Sequence, residues 1–214
     1  MLLCDPLPSL DLRAFITTFP APLGSVEDPA LLLPLLSLDA ATPLSYDERT
    51  RLAIRDLLRN GRYKPTGRGK PSCEYLRRAI REGKLGSINP AVDACNVVSL
   101  HSGLPISVVD LARTSAPLRV GLAAPGTTYV FNASGQTIAV GDLLCLHDGD
   151  GPCANPVKDA QRTKTSATTV QTLSLIWGST TLPGQSAAAE AWYRELLGSF
   201  GATSRPAPRE LAER

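Results

Sequence analysis

Apolar positions recur with two different periods along the chain, and the change falls near residue 115. Before it, Leu52, Ile54, Leu57 and Leu58 keep helical spacing, and Ser45 with Glu48 forms a capping box ahead of them. Asn60-Gly61 supplies a stop. A second helix is predicted over Ser72–Gly83. A third starts at Asn89-Pro90, with proline at the first helical position, and stops at Gly103. Its residues from Ile88 to His101 are small or apolar on most sides, the mark of a buried helix. Beyond residue 115 the pattern turns to strands over Leu118–Ala123, Thr127–Asn132, Thr137–Val140, Leu143–His147 and Thr168–Trp177. Asn132–Gln136 reads as a hairpin loop and Ala187–Leu197 as a last helix. Helices first and strands afterwards predict an α+β fold with a central, mostly antiparallel sheet flanked by helices. Residues 1–45, rich in Leu and Pro, are expected to form an extension of irregular structure and short strands packed on the core. Residues 46–200 form the domain proper, and 201–214 a flexible tail.

Composition narrows this. A chain of 214 residues has room for one domain with appendages. Hydrophobic residues at 43% against charged residues at 20% exclude global disorder. Aromatics at 5% make the core aliphatic and argue against an extended platform for stacking single-stranded bases. The apolar run Leu31–Leu38 is interrupted by Pro34 and far shorter than the roughly 20 residues of a spanning helix, so no membrane contact is expected. Residues 1–12 contain neither Lys nor Arg, and Asp5, Pro6 and Pro8 break what would be a signal's apolar region, so a cytoplasmic location is expected. Five widely spaced cysteines then read as reduced thiols. Cys145, His147 and Cys153 fit no standard zinc spacing, and neither metal nor cofactor is expected. The pattern specifies no oligomeric state.

Charge changes the picture more. The net +2 conceals a stretch, Arg59 to Lys84, with nine basic residues against Glu74 and Glu82, so +7 there and −5 elsewhere. Lys64, Arg68, Lys70, Arg77 and Arg78 form an electrostatic footprint suited to phosphate, with Gly67 and Gly69 permitting close backbone approach. A solvated helix face beside a polar loop accounts for the same charges. Two further constellations carry chemistry. On the buried helix, Asp93 and Asn96 lie three apart on one face, and a buried carboxylate must meet partners or line a polar cavity. The loop Asn155–Thr165 concentrates Lys158, Asp159, Arg162, Thr163 and Lys164, which suit a phosphate, a carboxylate or a positioned water. No nucleophile elbow, phosphate-binding loop or dinucleotide fingerprint is present.

The order of these segments resembles a known family. The run from Ile88-Asn89-Pro90 through Val92-Asp93 and Asn96 to Gly103-Leu104-Pro105, with Asp110, is similar to the pattern of the B3/B4 domain of the phenylalanyl-tRNA synthetase β subunit. Arg77-Arg78 upstream and Arg162-Thr163-Lys164 downstream resemble freestanding proteins of this type. The resemblance implies editing: hydrolysis of an amino acid wrongly esterified to tRNA. It places Asn96 on a pocket asparagine, Cys95 on its small polar neighbour and Ser107 on the pocket histidine. The glutamate that reads a tyrosine hydroxyl falls near Leu175 or Ile176, both apolar, so a smaller or more apolar amino acid is expected. Asn96, Ser107, Arg162 and Thr163 are then expected to position water and stabilise the oxyanion. Asp93, Cys95, Lys158, Asp159 and Lys164 are expected to bind the aminoacyl moiety, and Lys64, Arg68, Lys70, Arg77 and Arg78 the tRNA. A non-catalytic tRNA-binding module, or a binder of an amino acid or its derivative, remains open beside the trans-editing deacylase.

Overall fold

The computed structural model describes residues 1–26, 32–59 and 62–212. Eleven strands and five α-helices are described: β1 (Leu2–Cys4), β2 (Leu10–Thr18), α1 (Leu32–Leu35), α2 (Glu48–Leu58), α3 (Ser72–Arg81), α4 (Pro90–Ser102), β3 (Ile106–Asp110), β4 (Leu118–Leu122), β5 (Thr128–Val130), β6 (Thr137–Ala139), β7 (Leu144–Asp148), β8 (Gly151–Ala154), β9 (Gln171–Ser179), α5 (Gln185–Gly198), β10 (Thr203–Pro206) and β11 (Arg209–Leu211). A four-stranded antiparallel sheet has the order β10-β2-β9-β3, and a five-stranded mixed sheet the order β11-β1-β4-β7-β8. The β5-β6 hairpin stands apart as a third sheet.

The layers follow from alternation on β9. Leu173, Leu175 and Trp177 point to the five-stranded sheet and share a core with Leu2, Leu12, Val120, Leu144 and Leu146. Ile176 points the other way, into a larger core with Ile54, Leu57, Val97, Val98 and Tyr193 of the helices. β9 is therefore buried on both faces, and its near-continuous apolar run reflects that position.

Helix boundaries obey local chemistry. Asn89 caps α4 by accepting from the Val92 amide at 3.1 Å, and Pro90 occupies the first turn. Gly103 closes the helix at φ +71°. An added Cβ there would lie 2.4 Å from the Tyr46 ring, so both conformation and space demand glycine. The cap of α2 is displaced from expectation. Asp47, not Ser45, accepts from the Thr50 amide at 2.7 Å, because the helix begins only at Glu48. The Asn60-Gly61 stop lies outside the described residues. Asn132 organises its hairpin as expected, its Oδ1 accepting from the Gln136 amide at 3.0 Å.

Both ends of the chain are more ordered than the sequence suggests. β2, expected as part of an irregular extension, is a nine-residue strand inside the four-stranded sheet, paired along its length with β9. The tail, expected to fray, supplies β10 to the edge of β2 and β11 to the edge of β1. Its own side chains are weakly apolar; the open backbone edges of those two strands are what order it.

Candidate functional site

β3 is an edge strand, and the loop from Asn155 to Thr165 runs beside its open side. Between that loop, β3 and α4 lies a cavity of about 220 Å³. Its apolar walls are Ile88, Val92, Ile106 and Val108. Its polar groups are Asn96, Asp159, Lys164 and Thr165, with the Cys95 thiol beside them. The volume falls below the roughly 300–1,000 Å³ of drug-sized sites and suits a group of amino-acid size.

Each polar group has a structural reason to be there. Asn96 projects from the middle of α4, and among the described residues no hydrogen bond ties down its side-chain amide. Asp159 is held by two donors on one oxygen: the Ser107 hydroxyl at 2.7 Å and the Asn155 amide at 3.1 Å. Burial pushes its carboxyl up to about 6, and the hydrogen bonds from Ser107 and Asn155 oppose that rise. Lys164 donates to the Phe131 carbonyl at 2.6 Å, and burial pulls its ammonium below the usual lysine range. Cys95 is buried with its thiol 3.7 Å from the Ile106 carbonyl, and burial raises its pKa, so it is a poor nucleophile.

The expected residues divide accordingly. Asn96, Cys95, Asp159 and Lys164 meet at the cavity. Ser107 is fully buried behind it, accepting from the Trp177 indole at 2.9 Å while it donates to Asp159. Asp93 is buried and accepts from the Ile88 amide and the Ser87 hydroxyl, fixing the turn into α4. Arg162 does not line the cavity. It forms a two-pronged ion pair with buried Asp148, both distances 2.6 Å, and donates to the Gly151 carbonyl. Thr163 is fully buried and donates to the Cys153 carbonyl at 3.1 Å. Asn155 and Trp177, which no spacing singled out as site residues, support Asp159 and Ser107 from behind. Asn155 opens the charged loop, and its Oδ1 accepts from the amides of Val157 and Lys158.

The basic stretch also divides. Arg77 is committed to the fold: it donates to the Leu100 carbonyl at 3.0 Å and lies 4.0 Å over the Tyr46 ring. Arg78 pairs with Glu82. Among the described residues no carboxylate lies within ion-pair distance of Lys64, Arg68 or Lys70. Lys64 and Arg68 are exposed and Lys70 partly so, which leaves their charge available to an anion. Lys158 points away from the cavity, its ammonium 4.1 Å from the Phe131 ring centre. Cys145 and Cys153 are buried in β7 and β8, and burial pushes the Cys153 thiol up to about 12.

The sequence model of the B3/4 domain matches residues 63–176, from the basic loop to the middle of β9. The chain belongs to the B3/4 domain family. Over 85 residues it is 33% identical to the phenylalanine–tRNA ligase beta subunit of Pasteurella multocida (strain Pm70), which covers 39% of this chain and 11% of that protein. Over 139 residues it is 26% identical to the same subunit of Mannheimia succiniciproducens, 62% of this chain and 17% of that protein. The B3/4 chain thus spans less than a fifth of these relatives. An N-terminal fragment of the phenylalanyl-tRNA synthetase beta-subunit from Pyrococcus horikoshii superposes with a TM-score of 0.54. That match covers 99% of this chain and 52% of the fragment at 10% identity, a likeness of fold. The cavity lies wholly inside the matched span. Among the described residues, no helix is long and apolar enough to cross a membrane.

Proposed function

We propose that this protein hydrolyses the ester between a mischarged amino acid and tRNA, acting in trans. One observation carries the reading: Asn96, Asp159 and Lys164 face one cavity of amino-acid size inside the B3/4 fold. Above about pH 6 the Asp159 carboxylate accepts hydrogen bonds from the substrate's ammonium group. The Asn96 amide and the Lys164 ammonium are donors for the ester carbonyl as negative charge develops on its oxygen. Water adds to that carbonyl, the bond to the ribose oxygen breaks, and the departing oxygen takes up a proton. An aminoacyl ester is activated, so orientation and oxyanion stabilisation suffice without a protein nucleophile. Ser107 acts through Asp159 as a positioning residue, and Arg162 and Thr163 hold the loop. The aliphatic walls favour a small or apolar amino acid.

The test is a panel of mischarged tRNAs incubated with the folded protein, ester loss being timed against the spontaneous rate. Faster loss on at least one tRNA is expected; no acceleration across the panel overturns the reading. A second reading rests on Asp159 and Lys164 lining the same cavity, opposite charges that also complement the ammonium and carboxylate of a free amino acid. Thermal stabilisation by an amino acid without RNA, together with no ester loss, would favour a binding protein.

A further inference from the structure

A second depression, of about 640 Å³, adjoins the cavity and has a different chemistry. It is lined by Arg68, Tyr75, Phe131, Gln136, Ile138 and Lys158, among others, and among the described residues no carboxylate faces it. Phe131 and Ile138 belong to the β5-β6 hairpin, and Tyr75 to α3. The Tyr75 hydroxyl donates to the Gly67 carbonyl at 2.9 Å, tying the turn that carries Arg68 to the groove. The Lys158 ammonium lies 4.1 Å from the Phe131 ring centre and 5.4 Å from that of Tyr75, and burial pulls it below the usual lysine range. The Lys158 ammonium lies over both rings and Arg68 lines the same groove, so rings and cations together form a site for one planar, anionic group.

The groove and the cavity share a wall. Lys158 faces the groove and the next residue, Asp159, faces the cavity; consecutive Cα atoms are about 3.8 Å apart. Lys164 lines the cavity and bonds the backbone of Phe131, which lines the groove. In an aminoacyl ester of RNA, the amino acid and the terminal base hang from one ribose, so their two sites must be one sugar apart. Another depression beside the cavity, of about 410 Å³ and lined by Gly24, Ser87, Asn89 and Ser166, presents among the described residues no aromatic ring and no cation.

We propose that the groove seats the terminal nucleotide of the RNA ester, its base against Phe131 and Tyr75 and its phosphate facing Arg68. The identity of this ligand rests on the ester-hydrolase reading above.

The probe is the trinucleotide CCA, the common 3′ end of tRNA, titrated into the full chain. Binding is expected. Phe131→Leu should weaken it about tenfold and Phe131→Tyr should retain it. Arg68→Ala, at an exposed position, should reduce the slope of log affinity against log salt by about one. Ser166→Ala, at the other depression, should change nothing. Absence of CCA binding, or binding indifferent to both Phe131→Leu and Arg68→Ala, overturns the proposal, as does weakening by Ser166→Ala alone. The two readings fail separately. Ring-dependent CCA binding with no ester hydrolysis refutes the hydrolase and keeps the groove; hydrolysis with KM unmoved by Phe131→Leu does the reverse.

Discussion

The Ser107 hydroxyl donates to Asp159 at 2.7 Å from beneath the cavity, while the Trp177 indole donates to Ser107 at 2.9 Å. β3 and β9 are thereby coupled to the charge state of the Asp159 carboxylate that lines the cavity. Ser107→Ala leaves a buried indole N–H without its acceptor, a loss of about 1–3 kcal/mol in chemical denaturation. It also removes a donor that holds the Asp159 pKa down, so the acidic limb of the rate–pH profile should move upward. A serine that merely filled space would cost stability without moving that limb. An unmoved limb in Ser107→Ala refutes the coupling.

Asp159 itself gives a stability prediction with a definite sign. Its folded pKa, about 6, lies above its ordinary value of 3.8 because of burial. The folded state therefore holds the proton more tightly than the unfolded one. This contribution is fully favourable below pH 3.8, falls as pH rises towards 6, and is flat above. Asp159→Asn keeps the acceptor for Ser107 and Asn155 and removes the ionisation. At pH 7.5 the variant should be more stable than the parent by about 1–2 kcal/mol, discounted for the carboxyl's exposure to the cavity. The gain should vanish near pH 4. Urea unfolding at both values checks this, and an equal effect at both would contradict it. Ester hydrolysis by the same variant should be strongly reduced at pH 7.5 and should match the parent's own low rate near pH 4, where the parent's Asp159 is protonated.

The sequence exposed the helices because their signals are local. The Asn89-Pro90 start and Gly103 stop of α4 act within one turn, and the structure keeps both. The ends of the chain escaped because their order is borrowed. β11 exists by pairing with β1, and β10 by pairing with β2, contacts that span nearly the whole chain. The site was half legible. Asn96 came from the motif on α4, and Asp159 and Lys164 from the charged loop. Arg162 and Thr163, in that same loop, turn out to serve its fold, because a polar loop does not reveal which side chains face inward. The Trp177 support of Ser107 joins residues 70 positions apart and leaves no trace in spacing.

Gly103 tests how firmly α4 is seated. At φ +71° a Cβ is strained, and there it would also press on the Tyr46 ring that Arg77 covers. Gly103→Ala should lower stability by about 1–3 kcal/mol, read as a fall in Tm. Gly83, also at positive φ (+62°) but with nothing near an added Cβ, is the control: Gly83→Ala should cost about 1 kcal/mol, the strain alone. Equal losses would show that contact with Tyr46 adds nothing.

Arg162 separates a structural from a catalytic role. The Asp148 side chain is fully buried and that of Arg162 is 35% exposed. Burial raises the Asp148 pKa, and the hydrogen bonds from Arg162 and neighbouring amides outweigh it to leave the carboxyl below its usual range. Stability from this group is therefore present above the ordinary carboxylate pKa of 3.8 and lost as pH falls below it. Arg162→Met strands a buried charge and should cost about 3 kcal/mol at pH 7, the lower end for a broken buried pair because the guanidinium is partly hydrated. The loss should shrink near pH 3.5, where a stranded Asp148 takes up a proton. Asp148→Asn combined with Arg162→Met should recover part of the stability, since no charge is then left uncompensated. With Arg162 outside the cavity, the folded fraction of the single variant should still hydrolyse its ester. A variant as stable as the parent but inactive would instead return Arg162 to the catalytic machinery.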